Sequence, residues 1–418
     1  MRVLWLCNIV LPEYSTEFNL KKNVFGGWIS GMLHALEDKP TEIGLVFPII
    51  DPNRMKDGYA FGHQYYSFSV DYNSTDYSSA GEQMTVRFRE IISEFKPDII
   101  QIWGTEYIHS YAMILAAQEL ELLDRTLVYI QGMVSFYAEH YMKGMEELLE
   151  EGFSDSRMDE ISAGKEAFLK RGICEKKTIR LAKHVIGRTN WDKSCVESIN
   201  RSARYWHCGE ILRDEFYVNR SSWNPDKCES FSIFMTQASY PIKGLHFVIP
   251  AIAELIDQYP KLHLYISGKN IWQGDDSYGQ LTKEYAERLK VSDHITFLGE
   301  LAPDEVIDRF QKSQVYIMPS TIENSPNSLS EAMMIGIPVV VSNVGGIPDI
   351  IQTSSEGLLY QYDAPYMLAY YLRQVMNGGI DLKALSQNES ERAGVFNGAQ
   401  NVVDEITHIY GELINGND

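Results

Sequence analysis

The sequence predicts an α/β protein of two parallel-sheet domains, and three observations predict it. A chain of 418 residues exceeds what one hydrophobic core ordinarily organises, because single cores stop growing near ~250–300 residues. Hydrophobic residues make up 44% and aromatic residues 12%, which suits a packed globular chain and not a disordered or fibrous one. A unit of short β-branched run, polar turn and amphipathic helix also recurs along the chain, the pattern of a parallel sheet wrapped by helices.

Taken in order, the first half carries strand-like runs in "RVLWLCNIVL", "EIGLVFPII", "PDIIQIWG", "RTLVYIQG" and "KHVIGRT". The first of these follows Met1 directly and is too short to span a bilayer, so it reads as a buried strand and not a signal peptide; no apolar run approaches the ~20 residues of a membrane helix. The second half carries "SFSIFMTQA", "KLHLYISGK", "DHITFLGE", "QVYIMPS" and "IPVVVSNVGG". Between the halves, periodicity lapses in "EILRDEFYVNRSSWNPDKCES", residues 210–230, where polar turn residues accumulate. Gln387 to Ile414 reads as one or more helices. The expected division is a Rossmann-like domain over 1–215, a second over 216–390, and a helical segment over 391–418 that packs back on the first domain. Two doubly wound domains facing each other leave a cleft at the carboxyl ends of their strands, where such sheets bind ligands.

The formal charge of −20 argues against nucleic acid as a partner, since phosphate backbones require a basic field. Residues 165–204 are a local exception, with eleven Lys/Arg against four acidic residues. That excess is either a solvated helix face or a contact with an anionic bilayer or phosphorylated substrate. Cys7, Cys174, Cys195, Cys208 and Cys228 are odd in number and form no C-x-x-C pair, so neither a disulfide framework nor a zinc site is expected. A reducing cytoplasm is the expected location, with peripheral contact at the inner face of the membrane as the variant that the basic segment would allow.

Two glutamates, Glu323 and Glu331, stand eight positions apart in "STIENSPNSLSEAM". "QVYIMP" reads as a strand and "SLSEAMMIG" as a helix, so Glu323 falls in the loop between them and Glu331 about one turn into the helix. With Asn324, Ser325 and Pro326 in the loop, the N–H groups of Asn327, Ser328 and Leu329 would be free at the helix start. Free amides and the positive end of the helix dipole favour an anion, typically phosphate. Carboxylates on either side suit sugar and ribose hydroxyls. A bound nucleotide sugar satisfies both conditions; an exposed helix glutamate and a loop charge are the plain alternative on spacing alone.

The longer stretch "PSTIENSPNSLSEAMMIGIPVVVSNVGGIPD" closely resembles the E-x7-E signature of retaining glycosyltransferases of the GT-B fold, specifically glycosyltransferase family four (glycosyl transferases group 1). The resemblance extends to "KGLHFVIPAIAELIDQYPKLHLYISGK", to "ITFLGELAPDEVIDRFQKSQVYIMPS" and to "FGGWISGMLHAL" near the amino terminus. It implies that the second domain binds the nucleotide sugar and the first the acceptor. It implies further that Lys243 neutralises the donor diphosphate, that Gly26 and Gly27 form a glycine loop against the diphosphate, and that Gly268 and Gly299 border the base. The donor would be a nucleoside-diphosphate sugar, with UDP favoured. No cofactor or metal is implied, since enzymes of this type lack the D-x-D metal motif. Asp275-Asp276 in "QGDDSYG" reads as a solvated turn.

Two positions depart from the family pattern. An arginine usually precedes the matched lysine by five or six residues, but Gln237 and Ala238 stand there. The strand "TLVYIQG" usually ends in histidine-glycine, but here ends in Gln131-Gly132; a glutamine still bonds a hexose hydroxyl but does not titrate. "WGTEYIHS" supplies Glu106 and His109 nearby as expected acceptor contacts. Glu323, Lys243, Gln131 and Glu106 are thus the expected catalytic set. The implied activity is a retaining hexosyl or N-acetylhexosaminyl transfer to a glycan or lipid-linked hydroxyl in surface polysaccharide or glycoconjugate synthesis. A GT-B-like nucleotide-sugar epimerase and a non-catalytic glycan-binding protein are the alternatives. "DPNRMKDGYAFGHQYYSFSVDYNSTDYSS" reads as a first-domain loop that selects the acceptor.

Overall fold

A computed structural model of the chain describes residues 1–21, 26–72, 78–150, 152 and 155–416. The chain divides into two compact units, the first made of Met1–Phe136, Ala167–Ile211 and Ala399–Asp418, the second of Tyr137–Glu166 and Leu212–Gly398.

The sheet of the first unit contains β1 (Arg2–Leu6), β2 (Glu42–Ile49), β3 (Gly58–Ala60), β4 (His63–Ser69), β5 (Ile99–Trp103), β6 (Thr126–Tyr129), β7 (His184–Gly187) and β8 (Arg204–His207) in the order β3-β4-β2-β1-β5-β6-β7-β8. All neighbours run parallel except β3 and β4. β5 and β6 are buried at every residue, which is why they read as mostly apolar runs, without the polar alternation of a half-exposed strand. The helix Ser79–Phe95 buries Met84, Phe88, Ile91, Ile92 and Phe95, one face at helical spacing, and stops at Lys96 in the left-handed region. These side chains join Leu4, Leu6, Ile102, Met113, Val128 and Val185 in one core.

The second unit's sheet contains β9 (Ser232–Met235), β10 (His263–Ser267), β11 (Ile295–Gly299), β12 (Val315–Met318), β13 (Val339–Ser342) and β14 (Leu358–Tyr360), all parallel, in the order β11-β10-β9-β12-β13-β14. This is the Rossmann order, with chain direction across the sheet reversing between β9 and β12. Phe234, Phe310, Tyr316, Leu329, Met333 and Val341 form its core.

Every strand expected from sequence is present, and four were not expected. β3 and β4 lie inside the stretch read as an acceptor-selecting loop, where Tyr65 and Tyr66 are buried in the sheet; residues 73–77 of that stretch lie outside the described residues. β8 and β14 are short edge strands. The carboxyl-terminal region is two helices, Leu382–Phe396 in the second unit and Ala399–Asn415 in the first. The division therefore falls near residue 398, not 390. Tyr410 of the last helix donates to Gln101 Oε1 (2.6 Å) and accepts from Trp5 Nε1 (3.1 Å) beneath the first sheet. Residues 137–166, expected in the first domain, cluster with the second unit.

Candidate active site

In the second unit the loops following β9 and β12 meet where strand order reverses, the place at which open α/β sheets bind ligands. Backbone contacts fix the meeting. Thr321 N–H donates to the Ile242 carbonyl (2.8 Å), and Gly244, at φ +74°, lies so close to Pro319 that a Cβ would run into the Pro319 carbonyl. From the other side, Gly346 N–H donates to the Glu323 carbonyl (3.0 Å), and Gly345, at φ +51°, leaves no room for a Cβ beside that same carbonyl. The "KG" and "VGG" glycines thus hold the Glu323 loop between them.

These contacts bring Lys243 Nζ to 2.5 Å from Glu323 Oε1, which also accepts from Ser320 Oγ at 2.8 Å. Burial alone would lower the Lys243 pKa, but the Glu323 carboxylate more than offsets it and the net shift is upward; the ammonium keeps its charge. Two residues of the helix Val134–His140 also hold the loop: Tyr137 Oη accepts from Asn324 N–H (3.0 Å), and Thr321 Oγ1 donates to the His140 carbonyl (3.0 Å).

The helix Asn327–Ile335 starts one residue earlier than expected, with Pro326 as its N-cap and no side-chain cap. Leu329 N–H is not free, because it donates to the Pro326 carbonyl (3.0 Å); a tightened first turn satisfies it. The N–H groups of Asn327 and Ser328 have no backbone partner among the described residues. Ala332, Met333 and Met334 are fully buried, and Glu331 is buried with them. Burial pushes the Glu331 carboxyl up to about 7 against the pull of Arg213. Arg213 donates through Nε (3.0 Å) and lies with Nη2 at 2.8 Å from the same Oε1. Arg213 escaped sequence reasoning; it lies within the non-periodic stretch 210–230 and its partner is 118 positions away.

The other expected residues belong to the first unit. Gly26, at φ +88°, caps the helix that begins at Gly27, and a Cβ there would run into Ile9. Gln131 follows β6; its carbonyl accepts from Arg188 Nη2 (3.0 Å), while its buried Nε2 has no partner among the described residues. Glu106 follows β5 and has Arg171 Nη1 4.0 Å from its Oε1; burial raises its pKa against the Arg171 charge. His109 is fully buried beside Tyr107, Phe68 and Tyr72, and burial pushes it down to about 3, so it is neutral.

Gly268 follows β10 and Gly299 ends β11, and the two are joined by a backbone bond of 2.8 Å from Gly268 N–H to the Gly299 carbonyl. Gln237 donates to Ser239 Oγ (3.0 Å). Asp276 caps the helix Ser277–Arg288 by accepting from Gly279 N–H (2.7 Å). In the basic stretch, Arg171, Lys177, Lys183, Arg188, Lys193 and Arg204 each face a carboxylate or aromatic ring of their own unit. Among the described residues no helix is long and apolar enough to cross a membrane, and no three His, Cys, Asp or Glu side chains gather as metal ligands would.

Residues 218–392 match the family model for glycosyl transferases group 1. A curated relative, the D-inositol 3-phosphate glycosyltransferase of Corynebacterium urealyticum, is 27% identical over 176 residues, 41% of each chain. The chain spans 45% and 41% of the first two curated relatives it matches. Among solved structures, sucrose-phosphate synthase from Thermosynechococcus elongatus aligns over 100% of both chains with a TM-score of 0.71 at 13% identity. Anabaena HepE in complex with UDP and glucose aligns over 98% of this chain and 99% of its own, with a TM-score of 0.66 at 16% identity. At these identities the structural likeness is one of fold: two Rossmann-like α/β units of the GT-B class.

Proposed function

We propose that the protein is a retaining glycosyltransferase that moves a hexose or N-acetylhexosamine from a nucleoside-diphosphate sugar, UDP-linked by preference, to a hydroxyl of a glycan or lipid-linked acceptor in surface polysaccharide or glycoconjugate synthesis. The observation that carries this reading is the Lys243–Glu323 pair at the reversal between β9 and β12, with Glu331 on the adjoining helix. All three lie within residues 218–392, which match the family model. The UDP preference draws on the UDP and glucose held by Anabaena HepE.

In this reading the diphosphate lies on the amides of Asn327 and Ser328 and competes for the Lys243 ammonium, which frees Glu323 to accept hydroxyls of the hexose. Glu331 accepts the ribose hydroxyls, held in place by Arg213. The bond between the anomeric carbon and the leaving phosphate oxygen breaks as the acceptor oxygen bonds to the same face. The acceptor proton passes to that departing phosphate oxygen. Lys243 and the two amides stabilise the charge that develops there. Within the first unit, Glu106 offers its carboxylate and Gln131 its side-chain amide to hydroxyls of the acceptor. In this reading the reaction takes place in the cytoplasm. Any peripheral contact with an anionic bilayer would run through the basic segment 165–204.

The test is thermal stabilisation of the full chain by UDP, GDP and ADP and their sugars, followed by turnover with and without an added acceptor sugar. A rise in melting temperature with one nucleotide set, and transfer that requires the acceptor, is expected. No stabilisation by any nucleoside diphosphate would overturn the reading; turnover without acceptor that yields an isomerised nucleotide sugar would favour the epimerase.

A further inference from the structure

The helix Asp155–Leu181 carries the first part of the basic stretch 165–204, and from Ala167 onward it belongs to the first unit. It packs inward through Cys174, Glu175, Thr178 and Ile179, none more than 2% exposed. Glu175 is the one acidic residue between 167 and 181, and the N–H groups of Val134 and Ser135 hold it inward. The outward side therefore carries no acid over about four turns.

At the helical pitch, Leu169, Lys170, Ile173, Lys176, Lys177 and Arg180 fall within an arc of about 120°. Leu169 is 39% exposed and Ile173, one turn on, is 53% exposed. Single exposed aliphatic side chains are ordinary. Two in succession on one arc, flanked by cations, are the pattern of a helix that lies in a bilayer interface. Lys177 sits over the Tyr111 ring, 5.4 Å from its centroid. Lys170, Lys176 and Arg180 have no carboxylate or ring partner among the described residues. Lys183, Lys193 and Arg204 of the same basic stretch do, in Asp124, Tyr205 and Glu412.

Shape and charge together decide the partner. The outward arc of a helix is convex, whereas a small phosphorylated substrate needs a concave site. A polyanion without apolar surface would use the cations alone and leave Leu169 and Ile173 in water. An anionic bilayer takes up both, since its headgroups attract the cations and its interface accepts the aliphatic side chains. The chain as a whole is at −20, so attraction to such a surface has to be local, and charges farther off than a Debye length of ~8 Å are largely screened.

We infer that this arc docks the protein on an anionic bilayer, with Leu169 and Ile173 entering the interface and Lys170, Lys176 and Arg180 meeting lipid headgroups. The inference rests on the glycosyl-transfer reading only for its purpose, which is to reach a lipid-linked acceptor. The test sediments the full chain with vesicles of phosphatidylcholine alone and with about 30% phosphatidylglycerol, at low salt and at ~0.5 M salt. Binding is expected on the anionic vesicles only, and weaker at high salt. Lys170→Gln, Lys176→Gln and Arg180→Gln together should weaken it about a hundredfold, at about fivefold per cation. Leu169→Asn with Ile173→Asn should weaken it about tenfold. Lys183→Gln, Lys193→Gln and Arg204→Gln together remove as much charge from the same stretch but should change binding by less than about threefold, because they lie off the arc. UDP affinity by calorimetry, unchanged across the variants, shows that they fold. No binding to anionic vesicles, or equal loss in the two triple variants, overturns the docking arc. Full binding by the Leu169 and Ile173 double variant, or heparin bound as tightly as the vesicles, overturns the lipid assignment. A wild type that binds the anionic vesicles but no UDP leaves the docking arc standing and removes the donor reading.

Discussion

Replacing Lys243 by methionine separates two roles that one side chain plays. Its ammonium is 2.5 Å from Glu323 Oε1, and the two side chains are only 18% and 8% exposed. Breaking a buried ion pair by removing one partner costs ~3–5 kcal/mol, because the remaining charge keeps its desolvation penalty. Solvent reaches part of the lysine, and Ser320 Oγ still donates to the carboxylate at 2.8 Å, so the lower end, about 3 kcal/mol, applies here. For a domain of this size, that lowers the melting temperature by roughly 6–12 °C.

The assay is calorimetric unfolding of wild type, Lys243→Met, Glu323→Gln and the double variant at one pH. Melting of two units need not be two-state, so the transition assigned to the second unit is the quantity compared. In the double variant no buried charge is left unpaired, and it should regain at least half of what Lys243→Met loses, though not UDP affinity. A single variant within about 2 °C of wild type, or a double variant that falls by the sum of the singles, would refute the coupling.

Glu331→Ala should weaken UDP binding by about tenfold or more, since a carboxylate that accepts two ribose hydroxyls is lost; equal calorimetric affinities would remove Glu331 from the ribose. Gly345→Ala should destabilise the second unit by about 2–3 kcal/mol, because φ +51° is strained for alanine and its Cβ meets the Glu323 carbonyl; urea unfolding checks this. Glu175 accepts from Val134 N–H (2.7 Å), Ser135 N–H (3.0 Å) and the Ser135 hydroxyl, and burial pushes it up from 4.5 to about 7. The folded state therefore holds a proton that the unfolded state releases between those values. The contribution is fully present below 4.5 and is lost as pH rises to 7, by about 3 kcal/mol. Urea midpoints for Glu175→Gln should lose that slope; curves parallel to wild type would argue against it.

What the sequence disclosed follows the range over which each signal acts. β5, β6, β12 and β13 are buried at every residue, so a continuous β-branched run marks them whatever packs around them. β4 is buried by its neighbours, yet its residues are "HQYYSFS"; tyrosine and serine there resemble loop sequence until sheet pairing with β2 supplies the reason. The E-x7-E stretch was legible because strand, loop, helix start and glycines are contiguous, and it correctly placed Glu323 in the loop and Glu331 on the helix. The side chains that act on those glutamates come from far along the chain: Lys243 is 80 positions from Glu323, and Arg213 is 118 from Glu331. Lys243 was found only through a resemblance. Arg213 falls outside the motifs that carry the resemblance, and no local periodicity marks a lone arginine in a turn-rich linker. Arg213 supplies a guanidinium to the same helix from the opposite direction in sequence, where reading along the chain had no reason to look.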